Sequence, residues 1–146
     1  VIGYTDTLLE HFQNPRNVGK IPDADGIGLI GDPKCGDFLR VYIKVDEHER
    51  LAEVKFECFG CPAAIACASV MTELAQGKSL DEAEELTDER IAEALGGLPE
   101  VKFHCSNLGA EALDNAIWDY AVKATRREVE DRQVARSAGT EAPRPP

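Results

Sequence analysis

The sequence predicts an α+β fold: a small three-stranded antiparallel sheet with helices packed on one face and a long C-terminal helix. Three observations carry this reading. Segments 38–46 and 52–59 alternate apolar and polar residues with the period of a half-buried strand, the period turns helical after Gly60, and a last apolar stripe begins near Ser106 and runs out only near residue 130.

Residues 4–12 place Tyr4, Leu8, Leu9 and Phe12 at helical spacing, and Asn14-Pro15 with Asn17 and Gly19 ends that helix. Gly26 to Ile30 supplies the third and weakest strand, where two glycines are compatible with an edge. In the two stronger strands Leu39, Val41, Ile43 and Val45 share one face, as do Val54, Phe56 and Cys58; the polar run Asp46 to Arg50 is their turn. Pro62 suits the first turn of a helix, and Ala64, Cys67, Ala68, Met71 and Ala75 repeat on one face until Gly77. Ser79 and Thr87, each followed by acidic residues, open a short helical piece and a helix over about 88–95. The final helix carries Leu113, Ala116, Ile117, Tyr120 and Ala124 as its apolar stripe. One domain over residues 1–132 accounts for all these elements, and residues 133–146, ending in Pro143, Pro145 and Pro146, read as a disordered tail.

The 146 residues carry a formal charge of -11, and the acidity belongs to the folded part. Nucleic-acid binding is therefore not expected, because a phosphate backbone requires a cationic face. No stretch approaches the ~18 consecutive apolar residues of a membrane span, and the first twelve residues lack the cationic start and apolar run of a signal peptide. A cytoplasmic protein is expected. In that reducing compartment five cysteines are thiols, metal ligands or redox groups rather than a disulfide framework.

The hairpin makes a geometric prediction about them. For both apolar faces to coincide, paired residue numbers must sum to about 97, setting Leu39 against Cys58, Val41 against Phe56 and Ile43 against Val54. Residue 61 then faces residue 36, so Cys35 and Cys61 reach the same open end of the hairpin, each beside a glycine that leaves room for close approach. Cys61 also sits where a helix begins, and the unpaired N–H groups there favour a thiolate. Cys105, next to His104, sits at the start of the last helix. If that helix packs with its N-terminus toward the open end, the three cysteines converge. Three thiolates completed by Asp37 or His104 suit either a tetrahedral zinc or a [2Fe–2S] cluster. With one thiolate replaced, the shell has a softer point from which a cluster can be released.

The remaining candidates have plainer readings. Cys58 and Cys67 fall on apolar faces and read as small core residues. His11 reads as a partly covered helix residue, and His48 as a solvated turn residue. Trp118 lies off the main stripe of the last helix, which admits packing under a neighbouring element or a partner contact.

Five stretches, in order, carry a family resemblance: Glu10 to Gly19 (EHFQNPRNVG), Lys34-Cys35-Gly36-Asp37, Phe59-Gly60-Cys61, Gly77 to Ala83 (GKSLDEA), and Leu98-Pro99 through His104-Cys105-Ser106. Over about residues 4–127 the chain resembles the IscU/NifU-type iron–sulfur scaffolds. The resemblance implies de novo assembly of a labile [2Fe–2S] cluster, convertible to [4Fe–4S], on Cys35, Cys61 and Cys105, with Cys105 accepting persulfide sulfur from a cysteine desulfurase. It implies that Asp37 keeps the cluster labile, that His104 is a conditional ligand, and that zinc occupies the same residues when iron and sulfide are absent. The implied partners are the desulfurase, a frataxin-like or ferredoxin-type donor of iron or electrons, apo-proteins that receive the cluster, and a second copy in a homodimer. The implied role is that of a carrier, not an enzyme.

The chain departs from the family pattern at three places. Pro62-Ala63-Ala64 follows the second cysteine, where small residues are usual. Glu100 replaces a second proline in the segment Leu98 to Lys102 read by a dedicated Hsp70-type chaperone, which weakens the expectation of that partner. Cys58 forms a Cys-Phe-Gly-Cys pair with Cys61. The pair defines one rival, a thiol–disulfide oxidoreductase, although a hairpin rather than a βαβ unit leads into it. The other rival is a zinc-bound sulfur acceptor of the SufU branch. That branch carries an insertion before its last cysteine and lacks the histidine, whereas here 44 positions separate Cys61 from Cys105 and His104 is present.

Overall fold

Alternation in the two strong strands becomes a hairpin in the computed structural model, which describes residues 3–31 and 37–138 apart from the side chains of Val101 and Phe103. Helix α1 (Asp6–Gln13) leads into strand β1 (Gly26–Gly31), then β2 (Phe38–Val45) and β3 (Leu51–Phe59), all antiparallel in the order β1-β2-β3. Helices α2 (Pro62–Ala75), α3 (Leu80–Glu84), α4 (Asp88–Ala94), a 3₁₀ turn (Glu100–Lys102) and α5 (Phe103–Ser137) follow.

The register is the predicted one: Leu39 opposes Cys58, Val41 opposes Phe56 and Ile43 opposes Val54. It shifts by one near the turn, where Val45 opposes Leu51. There Asp46 Oδ1 accepts from the backbone N–H of His48 at 2.8 Å and of Arg50 at 3.0 Å, pulling the turn tight. The expected pairing of residues 36 and 61 lies outside the described residues; Phe38 opposite Phe59 is the last pair before them.

Strand β1 forms, and its glycines have a more specific reason than an edge position. A Cβ on Gly28 would collide with the Ala112 carbonyl oxygen and stand 2.5 Å from the Ala116 N, and one on Gly26 would collide with the Ala116 carbonyl oxygen. Two bare glycines on the strand and two alanines on α5 thus let helix and sheet backbones touch. This contact brings α5 down onto the inner face, where Leu39, Val41, Ile43, Val54 and Phe56 pack with Leu8, Met71, Ile91 and Leu113.

Helix α2 is more deeply embedded than a single stripe predicts: nine of its residues are buried, from Ala63 to Ala75. Small side chains make this possible on nearly every face. Its C-terminal half is bolted to α1 and the following loop by polar contacts. His11 Nδ1 and Ser69 Oγ share a 2.8 Å hydrogen bond, the Arg16 N–H donates to the same hydroxyl at 2.9 Å, and Asn17 Nδ2 donates to Thr72 Oγ1 at 3.0 Å. His11 is thus fully buried rather than partly covered, 6% exposed, while His48 is exposed as expected. Ser79 and Thr87 cap α3 and α4 by accepting from the N–H groups of Glu82 and Arg90.

Helix α5 is longer than expected at both ends. Lys102 N–H donates to the Pro99 carbonyl at 2.8 Å, and the turn so formed feeds directly into Phe103, so Cys105 lies inside the first turn of the helix. At the other end the helix continues through Ser137, beyond the tail boundary placed at 133. Most residues of this extension are exposed. Helix-favouring residues and pairs such as Glu128 with Arg132, at 2.9 Å, sustain it. The rest of the expected tail, 139–146, lies outside the described residues.

Candidate functional site

At the open end of the hairpin the cover provided by α2 and α5 gives out, and a cavity of ≈ 260 Å³ opens. Its walls are Ile30, Gly31, Asp37, Phe38 and Leu39 from the sheet, Cys58 to Cys61 and Ala64 from the β3–α2 junction, and Lys102, His104, Cys105 and Leu108 from the start of α5. A larger, open groove around Arg16, Asp46 and Arg50 contains no cysteine or histidine.

The described candidates arrive from three places in the chain: Asp37 ahead of β2, Cys61 at the start of α2, and His104 with Cys105 from α5. Cys61 is the N-cap of α2, held extended by Pro62 behind it, and its side chain makes no capping hydrogen bond, so the sulfur is left for the cavity. Cys105 comes from α5, and its Sγ stands 3.8 Å from the Cys61 Sγ and 3.6 Å from His104 Nε2. The N-terminus of α5 does point to the open end of the hairpin. Asp37 lies exposed at the rim, and Gly31, at φ +87°, brings its own backbone against the Asp37 carbonyl so that both sides of segment 32–36 reach the cavity wall. Cys35 lies outside the described residues. Among those described, no three His, Cys, Asp or Glu side chains are grouped closely enough to hold a metal ion.

Electrostatics set the state of the thiols. Burial, and then the neighbouring Cys61, push the Cys105 thiol up to about 12, with Lys102 acting in the opposite direction. Burial, Cys61 and Asp37 push Cys58 up to about 11. Cys67 is fully buried and displaced upward by burial most of all. Cys58, Cys67 and Cys105 are therefore neutral at pH 7, and a metal ion could be held by the Cys105 sulfur only with release of its proton.

Two features differ from the sequence reading. Cys67 is the core residue expected, but Cys58 is not: it is only half buried and lines the cavity. The strand period placed it on the correct face, and only the packing shows that this face is uncovered at its end. Lys102, not among the candidates, is a cavity wall and the cation nearest Cys105 in effect; its place three residues before a cysteine was the available signal. Trp118 is 72% exposed, which rules out packing under a neighbouring element. Among the described residues no helix is long and apolar enough to cross a membrane.

An α+β scaffold with cysteines converging at one sheet end matches a known class. The profile of the NifU-like N terminal domain matches residues 3–127, and the chain belongs to that family. It is 57% identical over 117 residues to the iron–sulfur cluster assembly scaffold protein IscU 1 of Archaeoglobus fulgidus, covering 80% of this chain and 76% of that one. It is 48% identical to the scaffold protein IscU of Aquifex aeolicus (86% and 80%) and 44% identical to that of Azotobacter vinelandii (84% and 97%). The fold is shared with a crystal structure described as a putative scaffold for the SUF system from Fervidobacterium islandicum, at TM-score 0.61 and 24% identity over 78% of this chain and 96% of that one.

Proposed function

We propose that this protein is a scaffold for iron–sulfur cluster assembly that accepts sulfur from a cysteine desulfurase, builds a labile [2Fe–2S] cluster and passes it to apo-proteins. The observation that carries the reading is the meeting of Cys61 and Cys105 sulfurs at 3.8 Å, with His104 beside them, in one cavity walled by the β3–α2 junction and α5. The scaffold names of its relatives agree with it.

In this reading the cluster is cargo. Cys35, Cys61 and Cys105 supply thiolates, and Asp37 or His104 completes the shell. The donor set fits iron and sulfide, because thiolates dominate it and the carboxylate and imidazole are weaker substitutes. Cys105 is the persulfide acceptor. Its thiol, neutral in the free pocket, becomes nucleophilic when its proton is drawn off, a change that Lys102 favours. Asp37, exposed at the rim, is a ligand within reach of solvent and in this reading the point of release. The frataxin-like or ferredoxin-type donor, the apo-acceptors and the cytoplasmic setting belong to the same proposal.

Anaerobic reconstitution with iron, cysteine and a desulfurase tests it. A brown protein with visible absorption, containing iron and acid-labile sulfide, is expected. Zinc retained without a chromophore would instead establish the zinc-bound sulfur acceptor and end the scaffold reading. Asp37→Ala is expected to slow transfer of the loaded cluster to an apo-ferredoxin several-fold. Unchanged transfer would leave Asp37 a loop residue.

A further inference from the structure

The Cys-Phe-Gly-Cys segment holds one thiol that the proposed scaffold chemistry does not use. Cys58 lies two residues before Gly60 and three before Cys61, at the strand-to-helix junction, and lines the same cavity as Cys61 and Cys105. Gly60 lies beside the Cys58 sulfur: a Cβ there would stand 3.8 Å from that sulfur and 3.3 Å from the Ala64 methyl, so a bare glycine leaves room at the turn that joins Cys58 to Cys61.

We propose that Cys58 is a resolving thiol, by which the chain itself reduces sulfur delivered to its pocket and releases it as sulfide. The inference rests on the sulfur-acceptor reading given above. Persulfide sulfur arrives as sulfane sulfur, two electrons short of the sulfide a cluster contains. The 3.8 Å between Cys105 and Cys61 allows thiolate exchange: Cys61 attacks the outer sulfur of the Cys105 persulfide, leaving a Cys105 thiolate and a Cys61 persulfide. Cys58 then attacks the inner sulfur of Cys61. The Cys61 sulfur–sulfur bond to the outer atom breaks, a Cys58–Cys61 disulfide forms, and the outer atom leaves as hydrosulfide. The proton lost by Cys58 balances it as hydrogen sulfide. Two thiols are oxidised by two electrons and one sulfane sulfur is reduced by two. A dithiol or small-thiol reductant restores the pair for the next round, so one sulfide per chain is released before any reductant is added.

The geometry favours Cys58 as the last attacker. Cys67 is fully buried in the core, whereas Cys58 is half buried, lines the cavity and adjoins Cys61 along a short chain segment; Cys105, 3.8 Å from Cys61, is the competing attacker, and the position of the product disulfide tells the two apart. A disulfide there also leaves Cys105 free.

The test loads the full chain with persulfide using a desulfurase and cysteine without oxygen, removes the desulfurase and all small thiols, and follows sulfide release and intact mass. The wild type is expected to lose the added sulfur, release about one sulfide per chain and end with a Cys58–Cys61 disulfide in peptide mapping. Cys58→Ser and Cys58→Ala are each expected to retain the persulfide at least about tenfold longer while still accepting it. Equal persistence in wild type and both variants, or a Cys61–Cys105 disulfide as the wild-type product, would overturn the role of Cys58 and leave the acceptor reading intact. A wild type that never acquires persulfide would overturn the acceptor reading itself.

Discussion

The two ends of α2 obey opposite rules. Its C-terminal half is saturated: Ser69 and Thr72 are fully buried, and their hydroxyls meet His11, the Arg16 backbone and Asn17. Its N-terminus is left open, with Cys61 in the capping position and its sulfur committed to no cap. Buried hydroxyls without partners are costly, so the first end must be complete for the domain to fold. A thiol loses little by being unbonded and gains a metal or a sulfur by being accessible, so the second end can be incomplete. The stretch EHFQNPRNVG, seen in the sequence as a family signature, serves the structural end. It fixes the position of the helix beneath the open end.

Function at the open end should break first and furthest. Cys105→Ser is expected to lower persulfide uptake from the desulfurase by about a hundredfold or more with the fold retained, while Cys67→Ser leaves uptake standing. Mass spectrometry of the intact chain measures both, and equal losses would dissolve the distinction between pocket and core cysteines. Gly28→Ala attacks the contact that joins α5, and with it Cys105, to the sheet. Its methyl would meet the Ala112 backbone, and about 3 kcal/mol of stability should be lost in urea denaturation, with Cys105 displaced from Cys61. Full stability in that variant would show that α5 yields without cost.

At the saturated end, Ser69→Ala should cost about 2 kcal/mol because it strips His11 and the Arg16 N–H of a shared partner. Persulfide uptake by the remaining folded protein should not change. The smallest effect is a pH dependence that separates the ends by direction. Burial and Arg16 lower the pKa of His11, so the unfolded chain binds its proton first and stability contributed there is lost as pH falls below about 6.5. Cys58 and Cys105 are raised from an ordinary 9.0 to about 11 and about 12; their contribution is complete below pH 9 and is lost as pH rises through that window. In thermal melts of the protein across pH, His11→Gln should remove the acid slope and Cys58→Ala should reduce the alkaline slope, leaving the share of Cys105.

The exposed half of α5 offers a contrast in legibility. Its packed half is legible through Leu113, Ala116 and Ile117, while the extension through Ser137 carries no apolar stripe and reads in the sequence as a tail from residue 133. Local propensity and ion pairs maintain it, and these have no period. The one-turn error at the start of α5 has a similar origin, because Pro99 and the following turn obscure where helical geometry begins.

Alternation and turn chemistry were sufficient for the hairpin, its register and the faces of its residues, because strand pairing is set by side-chain parity and a short turn. Cap residues located α3 and α4 for the same local reason. The convergence of Cys61 with Cys105 across 44 positions was a conditional expectation, and its realisation depends on Gly26 and Gly28 meeting Ala112 and Ala116. Cys58 shows the limit most clearly. Its parity with Val54 and Phe56 placed it on the inner face, but whether an inner face is core or cavity depends on how far the covering helices extend. That is a property of packing between distant segments, which no local period encodes.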